Sequence, residues 1–177
     1  DYKKYLDYSE TFCSVPHFQS LSTIKYLKDL NWIDNDAVFI NGNSGDFITG
    51  GHIKTNIKDN KEVNSTNTKL RKENILNQLI EKHFSLWGYL KTEENIDQIK
   101  KNLWNEITKG CDDLLSKDKD HLLYEYSEFI DRQSKYVITG QRTYEYYGHH
   151  WRLPLWDGEY LFFWQKVPLD YKLKQKL

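Results

Sequence analysis

The alternation of apolar and polar positions predicts helices along most of this chain and one short strand. Tyr2, Tyr5, Leu6 and Tyr8 predict a short helix within residues 1–10. Proline suits the first turn of a helix, and Leu21, Ile24, Leu27 and Leu30 recur at helical spacing, so an amphipathic helix is expected from Pro16 to about Leu30. After a polar stretch broken only by Trp32 and Ile33 comes Ala37-Val38-Phe39-Ile40, a continuous apolar run with β-branched residues bounded by turn formers. Such a run reads as a strand buried on both faces of a parallel sheet.

Residues 53–69 are rich in Lys, Asn and Thr and are expected to form a mobile loop or insertion. Ile75, Leu76, Leu79, Ile80, Phe84, Trp87 and Leu90 form one apolar stripe. Thr92 can cap the next helix, with Glu93 and Glu94 favourable in its first turn; its stripe is Ile96, Ile99, Leu103 and Ile107, and Gly110 is expected to end it. A long helix follows from about Asp120 to Tyr147, with Leu122, Leu123, Tyr126, Phe129, Ile130, Val137 and Ile138 inward, a bend at Gly140 and a stop at Gly148. Trp151 to Asp157 reads as a rigid apolar turn, and Tyr160 to Lys166 as a short helix. A lone strand needs neighbours, because its backbone groups must be paired. The expectation is a mostly helical segment with one or two parallel strands, whose sheet is completed by residues outside this sequence.

Composition narrows the function classes. An aromatic share of 15%, with six Trp and thirteen Tyr, supplies a core and could also line a ligand groove. The net charge of -1 argues against a nucleic-acid partner, which calls for a basic excess. No stretch approaches the roughly 20 apolar residues of a membrane span, and no signal peptide stands at Asp1-Tyr2-Lys3-Lys4. The two cysteines, Cys13 and Cys111, make no disulfide framework, and a reduced cytoplasmic setting is expected. The sequence contains no Met and begins at Asp1, which suggests a processed chain, an excised domain or part of something longer.

The loop after the strand carries the candidate chemistry. Asn41-Gly42-Asn43-Ser44-Gly45-Asp46 sits at a strand's carboxyl end, where open α/β sheets bind ligands. Gly42 and Gly45 permit close backbone approach and positive φ, so that N–H groups can cradle a phosphate or oxyanion. Asn43 and Ser44 add short polar side chains. Asp46 could orient a ligand hydroxyl, hold Mg²⁺ through water, or cap the helix that follows. The plain alternative is a turn without a ligand.

Two blocks resemble the asparagine synthetase family. Asn41-Gly42-Asn43-Ser44-Gly45-Asp46-Phe47-Ile48-Thr49-Gly50-Gly51 resembles the signature S-G-E-G-S/A-D-E-x-x-G-G, matching at Gly42, Asp46, Gly50 and Gly51. Gly148-His149-His150-Trp151-Arg152-Leu153-Pro154-Leu155-Trp156-Asp157 resembles G-x-E-x-R-x-P-F/L-L-D, matching at Gly148, Arg152, Pro154 and Asp157. The blocks come in the family's order, and the resemblance runs over roughly residues 18–173. It implies an α/β domain of the adenine nucleotide α-hydrolase-like type, here only its later part, which binds ATP and Mg²⁺, adenylates a small-molecule carboxylate acceptor and lets ammonia attack. A glutaminase domain upstream would supply the ammonia, and a homodimer is compatible with the resemblance. Asn41, Gly42, Ser44 and Gly45 would bind the nucleotide, and Asn43 and Asp46 would be the catalytic positions. No residue is assigned as a protein ligand to a metal.

The pattern also breaks. Asn43 stands where the family has Glu, Phe47 replaces another acid, and His150 replaces the Glu of the second block. An amide cannot act as a general base, so the acceptor chemistry should differ from aspartate amidation; a sugar acid or another carboxylate is expected, as in cell-surface polysaccharide pathways. The pyrophosphate loop S-G-G-x-D-S is not in the sequence, and Lys172, Lys174 and Lys176 read as solvated rather than as the family's late catalytic Lys. The chain is therefore expected not to adenylate a substrate unaided.

Other residues stay open at this point. His149-His150 could be metal ligands or ordinary residues; Arg152 and Asp157 could pair to hold the Pro154 turn; Arg142 could reach a ligand phosphate or be solvated. Trp151, Trp156, Tyr160, Phe162, Phe163 and Trp164 read as packing rather than ligand stacking. Competing readings are a non-catalytic relative or interaction module that keeps the fold, and an aromatic-rich glycan-binding domain.

Overall fold

The computed structural model describes residues 2–10, 13–54, 68–111 and 119–176. The loop expected over residues 53–69 lies, from 55 to 67, outside the described residues. The described residues are mostly helical with two parallel strands, within the one or two expected; the second overlaps the start of the stretch read as a rigid apolar turn and supplies the first strand with a neighbour from within the sequence. It divides into two units, Asp1–Thr49 with Phe129–Lys166, and Gly50–Glu128 with Val167–Leu177.

The first unit begins with helices α1 (Tyr2–Ser9) and α2 (Leu21–Asp29). Helix α2 starts five residues later than expected, and Pro16 lies in the irregular segment before it. Tyr5 is fully buried, donates its hydroxyl to the His17 carbonyl and lies 2.8 Å from the Thr143 hydroxyl. The long helix predicted to Tyr147 is instead a change of helical register. In this unit the chain is π-helical over Phe129–Val137, 3₁₀ over Ile138–Gln141 and α-helical in α7 (Arg142–Tyr146). The wider π turn is visible at Ser134, whose hydroxyl donates to the carbonyl of Phe129, five residues back, at 2.6 Å. Gly140 fits against the His17 ring, which an added Cβ would approach to 3.1 Å. The Arg142 guanidinium donates to the Tyr8 carbonyl at 2.7 Å and lies over the Tyr8 ring.

Strand β1 (Val38–Ile40) pairs in parallel with β2 (His150–Arg152), in the register Val38 with His150, Phe39 with Trp151 and Ile40 with Arg152. Side chains alternate between the faces of a strand. Phe39 therefore shares a face with Trp151, and it stacks on Tyr144 of α7 at a centroid distance of 4.4 Å. The other face is open: Val38 is 49% and Ile40 76% exposed. This corrects the expectation of a strand buried on both faces. Helix α3 (Gly45–Ile48) follows β1, and α8 (Gly158–Lys166) follows the 3₁₀ turn Pro154–Trp156 after β2. Phe162 and Phe163 of α8 are exposed rather than packed.

The second unit holds α4 (Thr68–His83), α5 (Glu93–Cys111), α6 (Asp120–Glu128) and α9 (Leu169–Lys172). Its core joins Ile53, Ile75, Leu79, Ile107, Leu123, Tyr124 and Leu173, with Leu103, Cys111 and Leu169 packed against it. The apolar stripe of α4 ends sooner than predicted. Residues Ser85–Leu90 form a 3₁₀ turn broken at Gly88, and Leu86 and Tyr89 are almost fully exposed. Thr92 caps α5 as expected, accepting the Asn95 N–H at 3.2 Å. Gly110 lies in the last described turn of α5, where an added Cβ would fall 2.0 Å from the Tyr126 hydroxyl, so the close approach of Tyr126 calls for glycine.

Lys172 overturns its expected solvation. It is 2% exposed and its ammonium pairs with Glu125. Close by, burial above all, then the charges of Lys172 and Lys119, lower the pKa of His121 to about 4 from its ordinary 6.5. A histidine whose folded pKa is depressed favours the unfolded chain once protons are abundant. Stability should thus fall as pH drops from 6.5 towards 4. The His121→Gln variant should flatten that part of a urea-denaturation profile taken against pH; an unchanged slope would count against the assignment.

Candidate functional site

The loop after β1 is built largely from its own polar groups. The Asn41 N–H donates to the Arg152 carbonyl at 3.0 Å and extends the strand pairing by one bond. The Asn41 side chain donates to the Tyr144 hydroxyl at 3.1 Å and accepts the Asn43 N–H at 2.9 Å, an Asx turn that closes the loop on itself. Ser44, not a glycine, takes the left-handed conformation, with φ 71°. It is buried, donates its hydroxyl to Gln133 at 2.7 Å and accepts the Trp156 indole N–H at 3.1 Å. Both bonds tie the first block to the rest of the unit and turn the hydroxyl inward.

The two glycines have different roles from those predicted, since neither has positive φ. Gly45 lies close to the second block: an added Cβ would sit 3.0 Å from the terminal methyl of Leu155. Gly42 is exposed, and a Cβ there would meet nothing within 4 Å. Asp46 lies in the first turn of α3 with its residue exposed, so it is not the cap residue, a position held by Ser44 without a side-chain bond. Phe47, at a position where the resemblance expects an acid, is buried together with Ile48.

The second block starts from a tight helix end. Gly148 has φ 84° and donates to the Glu145 carbonyl at 2.9 Å, while the His149 N–H donates to Tyr144 at 2.9 Å. This paired closure with a left-handed glycine is the Schellman motif. It turns the chain into β2, which delivers His149 inward and His150 outward. His149 is 4% exposed, with its ring edge-on to Phe39 at 5.3 Å. Neither of its ring nitrogens has a hydrogen-bond partner. Burial first, then the Lys28 charge, holds its pKa below the ordinary histidine value, so the ring is neutral at pH 7. Arg152 and Asp157 do not pair. The Arg152 guanidinium donates to the Trp151 carbonyl at 2.7 Å, and Asp157 caps α8 by accepting the N–H groups of Glu159 and Tyr160 at 3.0 and 3.2 Å.

Beside β2 lies an open cavity of about 560 Å³, lined by Ile138, Glu145, His149, His150, Trp151, Arg152, Leu153 and Trp156. No family model, curated protein or solved structure matches the chain.

The structure thus brings the two predicted blocks together through the strand pair, the Ser44–Trp156 bond and the Gly45–Leu155 contact. Asn41, Asn43 and Ser44 use polar groups within the fold, and the flank of Gly42 is open. Among the described residues, no group of three or more His, Cys, Asp or Glu is placed to hold a metal ion. No helix among them is long and apolar enough to cross a membrane. Gln133 and Tyr144, which hold the loop, escaped the sequence reading. Gln133 carried a signal all the same, as a polar residue four positions from both Phe129 and Val137 on an apolar stripe.

Proposed function

We propose that this chain is part of an ATP-dependent ligase of the asparagine synthetase type, of adenine nucleotide α-hydrolase-like fold, that adenylates a carboxylate and forms an amide with ammonia. The observation that carries the reading is the parallel pairing of β1 with β2, which sets the loops after both strands side by side at the same end of the sheet. Ligands of open α/β sheets bind at that end. Gly42 offers a flank without side-chain obstruction, and Asp46 is an exposed acidic residue in the first turn of the helix that follows. Magnesium is commonly held by one or two carboxylates together with substrate phosphates and water. Asp46 would hold Mg²⁺ through water, and the flank of Gly42 would admit the nucleotide. When bound, ATP would supply the adenylyl group that activates the acceptor. The acceptor is a small carboxylate, the ammonia source a glutaminase domain, and the setting cytoplasmic.

One observation favours a second reading, a non-catalytic relative that keeps the fold. Asn43 replaces an acid, its N–H is bound to Asn41, and Phe47 packs inward where a second acid is expected. One experiment separates the two. The protein in its full encoded length is titrated with Mg·ATP and then assayed for pyrophosphate release with ammonium and a panel of carboxylates. The ligase reading expects nucleotide binding that Asp46→Asn weakens about tenfold, the scale of one charge-assisted contact, and release that depends on a carboxylate. Binding without release would favour the second reading, and neither binding nor release would remove the first.

A further inference from the structure

Strand β2 has one edge against β1 and an outer edge that pairs with no strand among the described residues. In a parallel pair each residue turns both of its backbone groups to the same side, and successive residues alternate. The bond from the Asn41 N–H to the Arg152 carbonyl fixes the phase. His150 and Arg152 bond towards β1, and Trp151 between them turns its N–H and C=O away from it. The Trp151 N–H has no partner among the described residues. Its carbonyl accepts the Arg152 guanidinium at 2.7 Å and, with two lone pairs, can accept a second donor. The cavity of about 560 Å³ follows this edge and touches every residue from His149 to Leu153. An unpaired strand edge is a template for another strand.

The two faces beside the edge differ, because side chains alternate along the strand. Trp151 and Leu153 share one face, and Ile138 and Trp156 line the cavity with them. Both indoles are pinned, Trp151 donating to Glu145 at 2.9 Å and Trp156 to Ser44 at 3.1 Å, and rigid walls lose little freedom when a side chain packs against them. The other face carries His150 and Arg152, both exposed. Arg152 bonds to its neighbour's carbonyl and to no carboxylate among the described residues, so most of its donors remain for an incoming acid. A second copy of the chain does not suit this edge. Paired about a two-fold axis at Trp151, β2 would set Arg152 of each chain opposite His150 of the other, with no acid on either side.

We infer that the outer edge of β2 binds an extended segment of a partner protein by strand addition, with an apolar side chain of that segment against Trp151 and Trp156 and an acidic neighbour paired with Arg152. Main-chain bonds to Trp151 hold the segment, and its alternating side chains set the selectivity. The site is independent of the ligase reading and needs no nucleotide.

The test titrates the full-length protein, without ATP, into a short labelled peptide, blocked at both ends, in which glutamate alternates with valine. Fluorescence anisotropy should show saturable binding. Backbone N–H groups of alternate residues point to the same edge of a strand, so N-methylation of one set should abolish binding and N-methylation of the other should leave it. The sensitive set is the valines if the peptide lies antiparallel to β2 and the glutamates if it lies parallel. Lysine in place of glutamate should weaken binding about tenfold, and so should Arg152→Gln, at an exposed position, with the original peptide; this is the scale of a hydrogen bond to a charged group. Absence of saturation, equal affinity in wild type and Arg152→Gln, or the same response to both N-methylated sets would overturn the inference. So would self-association in analytical ultracentrifugation that the peptide reverses, because the edge would then belong to a second copy.

Discussion

Glu128→Ala is expected to destabilise the second unit by about 3–5 kcal/mol, the usual consequence of removing one partner from a buried charge cluster. Glu128 is 1% exposed. One of its oxygens lies 2.9 Å from His52 Nδ1, and the other takes His83 Nε2 and the Lys82 ammonium, the latter at 3.0 Å. Alanine withdraws the acceptor from three donors at once and leaves a void where the carboxylate was. Glu128→Gln keeps the shape and one acceptor oxygen, so its loss should be smaller. The pH dependence follows from the same contacts. Burial pushes the Glu128 carboxyl up, but the hydrogen bonds from His52 and His83 and the charges of His83 and Lys82 hold it well below the ordinary carboxylate range. A depressed acid contributes stability that is fully present above its unfolded value, about 4.3, and is lost as pH falls below it. Urea denaturation at pH 7 and in a series below 4.3 measures both effects. Wild type should lose stability with acid more steeply than Glu128→Gln. A Glu128→Ala protein within about 1 kcal/mol of wild type at pH 7 would show that the cluster carries little energy.

The parts of the fold legible in the sequence were those fixed by local patterns. Ala37–Ile40 announced β1, Thr92 announced the start of α5, and Gly148 announced the end of α7. The two blocks, far apart in sequence, are neighbours in space because each leads out of one of two paired strands. What was hidden depended on distant contacts or on register. Helical periodicity does not distinguish an α-helix that continues from one that widens to π at Phe129, where the chain also passes from one unit to the other. Lys172 looked solvated because its partner, Glu125, lies 47 positions earlier. The exposure of Ile40 was hidden too, since an apolar run reports what a strand could bury, not what covers it. In the candidate site the residue types were legible but their tasks were not: the left-handed turn fell to Ser44, and the close approach to Gly45.

Gly50→Ala is the second change expected to have a large effect, a loss of about 3 kcal/mol or more from strain and overpacking together. Gly50 has φ 92°, which an L side chain rarely adopts. An added Cβ would also lie 2.6 Å from the Lys172 carbonyl oxygen and 2.7 Å from Lys172 Cβ. That neighbour cannot move aside cheaply. Lys172 is buried against Glu125, and Leu173 next to it belongs to the core of the unit. Relief of the clash would therefore lift residues 169–173 away from Ile53 and Leu123, and the Lys172–Glu125 pair would be exposed to water. Gly42→Ala, eight positions earlier in the same block, is the matched control: no positive φ and open space at Cβ predict a change within about 0.5 kcal/mol. Thermal and urea denaturation of the two variants measure the contrast, and hydrogen exchange at residues 169–173 shows where the damage falls. Equal stability of Gly50→Ala and Gly42→Ala would mean that the carboxyl-terminal segment is not seated on Gly50. A Gly42→Ala protein that stays folded but binds Mg·ATP more weakly would place the nucleotide against the open flank of the loop.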